Sequence, residues 1–269
     1  MTQQTIGFVG AGNMAASLAG GMIAKGIRPA SIWMSDRSAE RLDEMARLHR
    51  VQVSEDNAEV ARRADVLVLA VKPQVMEAAC TPLRALVAER QPLIISIAAG
   101  VTVANLEGWL GEAPIVRCMP NTPALVQTGA TGLYAAPRVS AAQKETAGKI
   151  LGAVGLTAWF EQEKELDAVT AVSGSGPAYF FLLMEALIEA AVAQGLEAAS
   201  ARQLVLQTAL GAAQLATTSD VGPDVLRQRV TSPGGTTAAA LAVFEEAGLR
   251  EQVQAAVAAA RTRSEELAR

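Results

Sequence analysis

This chain of 269 residues holds one histidine, two cysteines and only ten aromatic residues, three Trp, two Tyr and five Phe. His49, Cys80 and Cys118 are too few and too scattered to build a zinc or iron site on nitrogen and sulfur ligands, so no metal centre is expected. Each cysteine sits in an apolar stretch, which reads as a reduced core thiol, not half of a disulfide, and fits a cytoplasmic protein. Basic charge is also short: 23 Lys and Arg against 27 Asp and Glu leave a net charge of −4, which argues against nucleic acid or an anionic membrane as the main partner. No basic segment with an apolar run precedes the first strand pattern at Thr5, so a cleaved signal is not expected. The most apolar long segment, Pro177 to Leu196, contains Glu185 and Glu189. Two carboxylates four apart give a helix a polar edge, as suits a packed amphipathic helix better than a membrane span or a catalytic pair. Finally, neither Lys nor His occurs from Glu165 to Arg269.

About half of the residues are apolar, enough for an α/β domain plus a helical one. From Thr5 to Phe160, short β-branched runs alternate with helical patterns: Thr5–Val9, Ser31–Ser35, Val66–Val71, Leu93–Ala98, Ile115–Cys118 and Leu156–Phe160. That alternation predicts βαβ units around a parallel sheet, and near-continuous apolar strands such as Asp65 to Val71 predict helices on both faces. Beyond Glu163 the pattern is helical, over 177–195, 199–217, 221–230, 236–247 and 249–267, with Gly195, Gly222-Pro223 and Gly248 as punctuation. The expected architecture is α/β: a doubly wound domain over 1–161, then an all-α domain over 162–269. The small apolar faces of that second domain exceed what about 105 residues can bury internally, so it is expected to self-associate.

The first strand runs into Gly10-Ala11-Gly12-Asn13-Met14-Ala15 and then a helix. Gly10 permits a tight turn, Gly12 lets a dinucleotide pyrophosphate approach the backbone, and Ala15 replaces the third glycine of a Rossmann-type fingerprint. The helix N-terminus offers free N–H groups to the phosphates. The second strand ends at Ser35-Asp36-Arg37, where the ribose is discriminated. Asp36 suits the 2′-hydroxyl of NAD and Arg37 a 2′-phosphate; Ser35 and Arg37 together lean toward NADP(H), with NAD(H) open. Two further loops, Ala70-Val71-Lys72-Pro73 and Met119-Pro120-Asn121-Thr122-Pro123, lie at strand ends where such sheets bind ligands.

The helical domain carries Thr231-Ser232-Pro233-Gly234-Gly235-Thr236-Thr237 at a helix start, a candidate carboxylate pocket. A ketone reduction needs a positioned acid for the alkoxide, usually Lys or His, and this domain has neither. A protonated imine is already electrophilic, so its reduction asks mainly for orientation in a closed site. A reductase of an imine is therefore favoured over one of a hydroxyacid. A dinucleotide sensor with a protein partner is the non-enzymatic alternative; it leaves the Ser232–Thr237 loop without a role.

These loops, with Ser173-Gly174-Ser175-Gly176-Pro177-Ala178-Tyr179 and the stretch from Val230 to Glu245, resemble the motifs of the pyrroline-5-carboxylate reductase family, in order and over nearly the whole chain. The resemblance implies reduction of 1-pyrroline-5-carboxylate to L-proline by NADPH or NADH, the last step of proline biosynthesis. It implies that Gly10, Ala11, Gly12, Asn13, Met14, Ala15, Asp36, Arg37, Asn57, the loop Ala70, Val71, Lys72 and Pro73, and the turn Ala98-Ala99 contact the coenzyme, with Asn121 near the nicotinamide. It implies further that Ser232, Gly234 and Gly235 hold the substrate carboxylate and that Thr237 bonds the ring nitrogen as the catalytic candidate. Glu163 matches an acidic position close to substrate. Dimers with interleaved helical domains, or multiples of them, are implied as well. One departure is Asp36, where many NADP-using relatives have Asn; a carboxylate faces a 2′-phosphate unfavourably, which argues against exclusive NADP use.

Overall fold

The computed structural model describes residues 4–268. An eight-stranded sheet runs β1 (Ile6–Val9), β2 (Ile32–Ser35), β3 (Gln52–Ser54), β4 (Val66–Leu69), β5 (Leu93–Ser96), β6 (Ile115–Met119), β7 (Gly129–Ala135) and β8 (Gly155–Phe160) along the chain. In space the order is β3-β2-β1-β4-β5-β6-β7-β8. All neighbours pair in parallel except β6 with β7, where Val116 lies opposite Ala135 and Met119 opposite Gly132. The helices of this part are α1 (Asn13–Ala24), α2 (Ala39–His49), α3 (Asn57–Arg63), α4 (Pro73–Cys80), α5 (Arg84–Arg90), α6 (Val103–Leu110), α7 (Ala141–Leu151) and α8 (Glu165–Val169).

Alternate strand residues feed two separate cores. Ile6, Phe8, Val66, Val68 and Ile95 belong to one, and Val9, Leu67, Leu69, Ile94 and Ile115 to the other. Every residue of β4 and β5 is buried, which is why their sequences read as unbroken apolar runs. Each fully buried Leu or Phe contributes about 1.5–3 kcal/mol through apolar burial. Cys80 and Cys118 are free thiols inside these cores.

The sequence reading missed two strands. β3 is a three-residue edge strand of Gln, Val and Ser, too short and too polar to show alternation. β7 contains two glycines and two alanines, poor strand formers chosen for close packing. A Cβ on Gly132 would lie 2.7 Å from Val169, which α8 lays against the sheet. β4 and β5 also stop short of Val71 and Ala98, so the following residues leave the sheet as loops at its carboxyl edge.

Two compact units result: one up to Ser175, rejoined by the chain from Ala260 onward, and one over Gly176–Ala259. The division falls later than residue 161 because α8 and the π-helical turn Thr170–Gly174 still pack on the first unit, where a Cβ on Gly174 would meet Met119 at 2.6 Å. The segment around Ser264 is held there too: the buried Ser264 hydroxyl donates to the Asp167 carboxylate at 2.7 Å. The second unit is helical, with α9 (Gly176–Ala193), α10 (Ala198–Thr218), α11 (Pro223–Arg229), α12 (Thr236–Glu246) and the first part of α13 (Leu249–Leu267). Gly195 and Gly248 adopt φ of +94° and +72° at helix ends, as their positions in the sequence suggest. This unit leaves large apolar side chains uncovered, including Phe180, Phe181 and Leu182, each more than 60% exposed. The helix Glu165–Ala193 is long and apolar enough to cross a membrane by length and composition alone.

Candidate active site

The glycine turn between β1 and α1 is shaped by its neighbours. Gly10 has φ of +101°, and a Cβ there would lie 2.8 Å from the Ala70 carbonyl oxygen, so only glycine fits beside the β4 loop. Gly12 is the N-cap of α1 with φ of −67°, no side chain caps it, and an added Cβ would meet no protein atom within 4 Å. Open space thus faces an uncapped helix N-terminus, the arrangement that receives a phosphate. Ala15 is buried against the core, giving α1 its close approach to the sheet. These features fit the pyrophosphate of a dinucleotide.

The end of β2 holds this turn from the side. Gly10 N–H donates to the Ser35 carbonyl at 2.8 Å. Asp36 accepts from the N–H of Ala11 at 2.9 Å and from that of Ser38 at 3.1 Å. Arg41, on the first turn of α2, donates through Nε to the Ala11 carbonyl at 2.6 Å and through Nη2 to the Asn13 side chain at 3.2 Å. Ser38 caps α2 by accepting from the Arg41 N–H. Arg37 is exposed beside Asp36, and Asn57 opens α3 behind its Asp56 cap. Ser35 corrects one expectation: it is fully buried and its hydroxyl donates to the Phe8 carbonyl at 3.2 Å, so its side chain faces the core instead of the coenzyme.

Lys72 occupies the N-cap position of α4 without a side-chain cap bond, Pro73 follows in the first turn, and the Ala98-Ala99 turn follows β5; both loops lie at the sheet's carboxyl edge with Ala70 and Val71. Among the described residues no group of three or more His, Cys, Asp or Glu side chains could hold a metal ion.

In the second unit the loop before α12 makes a second uncapped helix N-terminus. Gly235 is its N-cap without a side-chain cap bond, and its N–H donates to the Ser232 carbonyl at 3.0 Å. Gly234 turns the chain with φ of +68°. Ser232 is exposed and Thr237 half-buried in the first turn of the helix. Hydroxyls beside free N–H groups suit a small carboxylate.

A model of the pyrroline-5-carboxylate reductase dimerisation domain matches residues 163–267, and one of NADP oxidoreductases, coenzyme F420-dependent, matches residues 5–100. The chain is 54% identical over 269 residues to a pyrroline-5-carboxylate reductase of Pseudomonas aeruginosa, covering all of this chain and 98% of that protein. The chain belongs to the pyrroline-5-carboxylate reductase family. Two solved structures of the family superpose over their full lengths: that of Coxiella burnetii, 45% identical with a TM-score of 0.96, and that of Plasmodium falciparum with NADP bound, 32% identical with a TM-score of 0.88. The dimerisation match supports self-association through the segment that leaves Phe180 and Phe181 uncovered.

Two further expected site residues, Asn121 and Glu163, also have partners within the protein. Asn121 is buried; its amide donates to the Ser173 carbonyl at 3.0 Å and its oxygen accepts from Ala130 N–H at 2.8 Å, tying the end of β6 to β7 and to the π-helical turn. Glu163 Oε1 accepts from Val103 N–H at 2.8 Å and pairs with the buried guanidinium of Arg117 at 3.0 Å. Both therefore brace the loops around the sheet's carboxyl edge, whatever else they touch. Arg41 escaped the sequence reading. The available signal was its place on the first turn of the helix after Asp36, from which an arginine reaches back over β2 to the glycine turn.

Proposed function

We propose that the protein reduces 1-pyrroline-5-carboxylate to L-proline in the cytoplasm, with NADPH as the favoured coenzyme and NADH accepted, as a dimer or a multiple of dimers. The observation that carries this reading is the full-length relationship to a pyrroline-5-carboxylate reductase at 54% identity, with both uncapped helix N-termini in place. The coenzyme, when bound, supplies a hydride to the imine carbon. The Gly10–Ala15 turn holds its phosphates, Arg37 faces a 2′-phosphate, and the loops Ala70–Pro73 and Ala98-Ala99 line its path with Asn57 and Asn121.

Ser232, Gly234 and Gly235 frame the place of the substrate carboxylate at the start of α12, where the Ser232 hydroxyl and the uncapped first-turn N–H groups of the helix are the donors. The Thr237 hydroxyl bonds the ring nitrogen and orients the imine. Because the imine arrives protonated from water and its reduction leaves an amine, no oxyanion needs neutralising, and the absence of Lys and His beyond Lys164 costs the reaction nothing. Orientation in a site closed to water supplies the acceleration. An apolar cavity of about 450 Å³ between β8 and α8, bordered by Leu156, Phe160 and Val172, lies mostly on residues of the dimerisation segment and its strand neighbours, and we assign its cover to the second copy.

The test follows NADPH oxidation with 1-pyrroline-5-carboxylate, with 1-pyrroline lacking the carboxylate, and with a 2-keto acid. The reading expects turnover with the carboxylated imine and a loss of at least about a hundredfold without the carboxylate, two charge-assisted bonds' worth. Equal rates with both imines would remove the carboxylate role of the α12 loop.

A further inference from the structure

We propose that Arg41 is a positioning residue for the coenzyme, which holds the glycine turn in its binding shape and so serves NADPH and NADH alike; this rests on the coenzyme-binding reading given above. The Ala11 backbone is gripped on both sides of its Cα. Its N–H donates to Asp36 at 2.9 Å and its carbonyl accepts from Arg41 Nε at 2.6 Å. The turn around it is made of Gly10 and Gly12, which have no side chains with which to fix themselves. Such a turn, left alone, samples many conformations and has to give them up when phosphates bind. A charge-assisted bond to the middle peptide removes that cost before binding, and Arg41 also fixes the Asn13 side chain at the first position of α1.

The same geometry separates Arg41 from Arg37. All three guanidinium nitrogens of Arg41 already donate within the protein: Nε to Ala11, Nη2 to Asn13 and Nη1 to Glu44. Three of its five N–H donors, one on each nitrogen, are committed to the protein, whereas Arg37 stands exposed at the end of β2. Selectivity for a 2′-phosphate thus belongs to Arg37. Affinity for the part that both coenzymes share belongs to Arg41. Asp36 then acts as the other half of the grip, its carboxylate held by two backbone N–H donors.

The experiment measures dissociation constants of NADPH and NADH by coenzyme fluorescence for the wild type, Arg41→Ala, Arg41→Lys and Arg37→Ala, with KM and kcat for each coenzyme alongside. Arg41→Ala is expected to weaken both coenzymes by the same factor, roughly ten- to thirtyfold, from the ordering of about one backbone residue. Its coenzyme KM rises in step while kcat at saturation stays within about twofold, a split that loss of folded protein does not produce. Arg41→Lys, which keeps a charge near the Ala11 carbonyl but not the fork, regains part of the affinity for both; if Arg41→Ala does not fold, the equal factor is read from Arg41→Lys. Arg37→Ala weakens NADPH alone. A loss confined to NADPH in the Arg41 variants would make Arg41 a 2′-phosphate contact and overturn the proposal, as would unchanged constants in both. A wild-type protein that binds neither coenzyme would remove the reading beneath it, an outcome distinct from a variant that binds as the wild type does.

Discussion

Replacing Gly12 by Ala separates binding from folding more cleanly than any other change to this site. Gly12 has φ of −67° and ψ of 179°, which alanine adopts without strain, and its new Cβ meets no protein atom within 4 Å. The stability cost is that of a poorer N-cap, about 0.5–1 kcal/mol, or a fall in Tm of only a few degrees. The methyl group nevertheless stands in the open space that faces the start of α1. If the coenzyme pyrophosphate lies there, it is pushed back from the helix N–H groups. Losing one or two charge-assisted bonds at about 1.5 kcal/mol each weakens binding roughly ten- to a hundredfold. Gly10→Ala is the contrast: at φ of +101° and 2.8 Å from the Ala70 carbonyl, it must destabilise the fold as well, by about 1–3 kcal/mol or more. Thermal unfolding and NADPH fluorescence titration on both variants decide the matter. A Gly12→Ala protein that melts like the wild type and binds NADPH with unchanged affinity would refute the placement of the pyrophosphate.

Three other perturbations probe separate parts of the structure. Thr237→Ala is expected to lower kcat at saturating substrate by about ten- to a hundredfold while NADPH affinity holds, with Thr237→Ser recovering most of it; unchanged turnover in folded protein removes Thr237 from the chemistry. Glu163→Gln leaves the buried Arg117 guanidinium without its carboxylate, and because Glu163 is about a quarter exposed the expected loss is about 1–3 kcal/mol, read as a lower Tm; a variant as stable as the wild type contradicts it. Burial raises both thiols, Cys80 to about 12, so a thiol reagent at pH 8 should label neither in native protein and two per chain after denaturation. Since these folded-state values lie above the ordinary thiol value of 9.0, the stability they carry is intact below about pH 9 and drains away as the pH climbs toward 12. Melting points that are flat across that window would contradict the burial.

Most of the fold was legible because its signals are local. Apolar runs in β4 and β5 and the helix punctuation at Gly195 and Gly248 each follow from one segment's own chemistry. What escaped depends on contacts distant in sequence. β7 is a strand because Gly132 lets Val169 pack on it and because Gly129 and Gly155 approach each other where no Cβ fits, at 2.0 Å from the Gly129 carbonyl oxygen. The antiparallel turn of β7 beside β6 has no mark in either strand's sequence. At the site, the glycine turn was readable from its position between strand and helix, and the α12 loop from its glycines and hydroxyls. Ser35 was misread because two residues at a strand end point to opposite sides, and only burial shows which faces the core. Arg41 was invisible because its target is the Ala11 backbone carbonyl, which every residue type carries.

The central claim is that NADPH consumed by this protein appears as proline. The direct measurement mixes purified protein with NADPH and 1-pyrroline-5-carboxylate and counts both the coenzyme oxidised and the L-proline formed. One proline for each NADPH, with no oxidation when the imine is omitted, is the predicted result. Oxidation without proline, or tight NADPH binding with no oxidation, would contradict it and point to a different substrate in the first case and to a coenzyme sensor in the second.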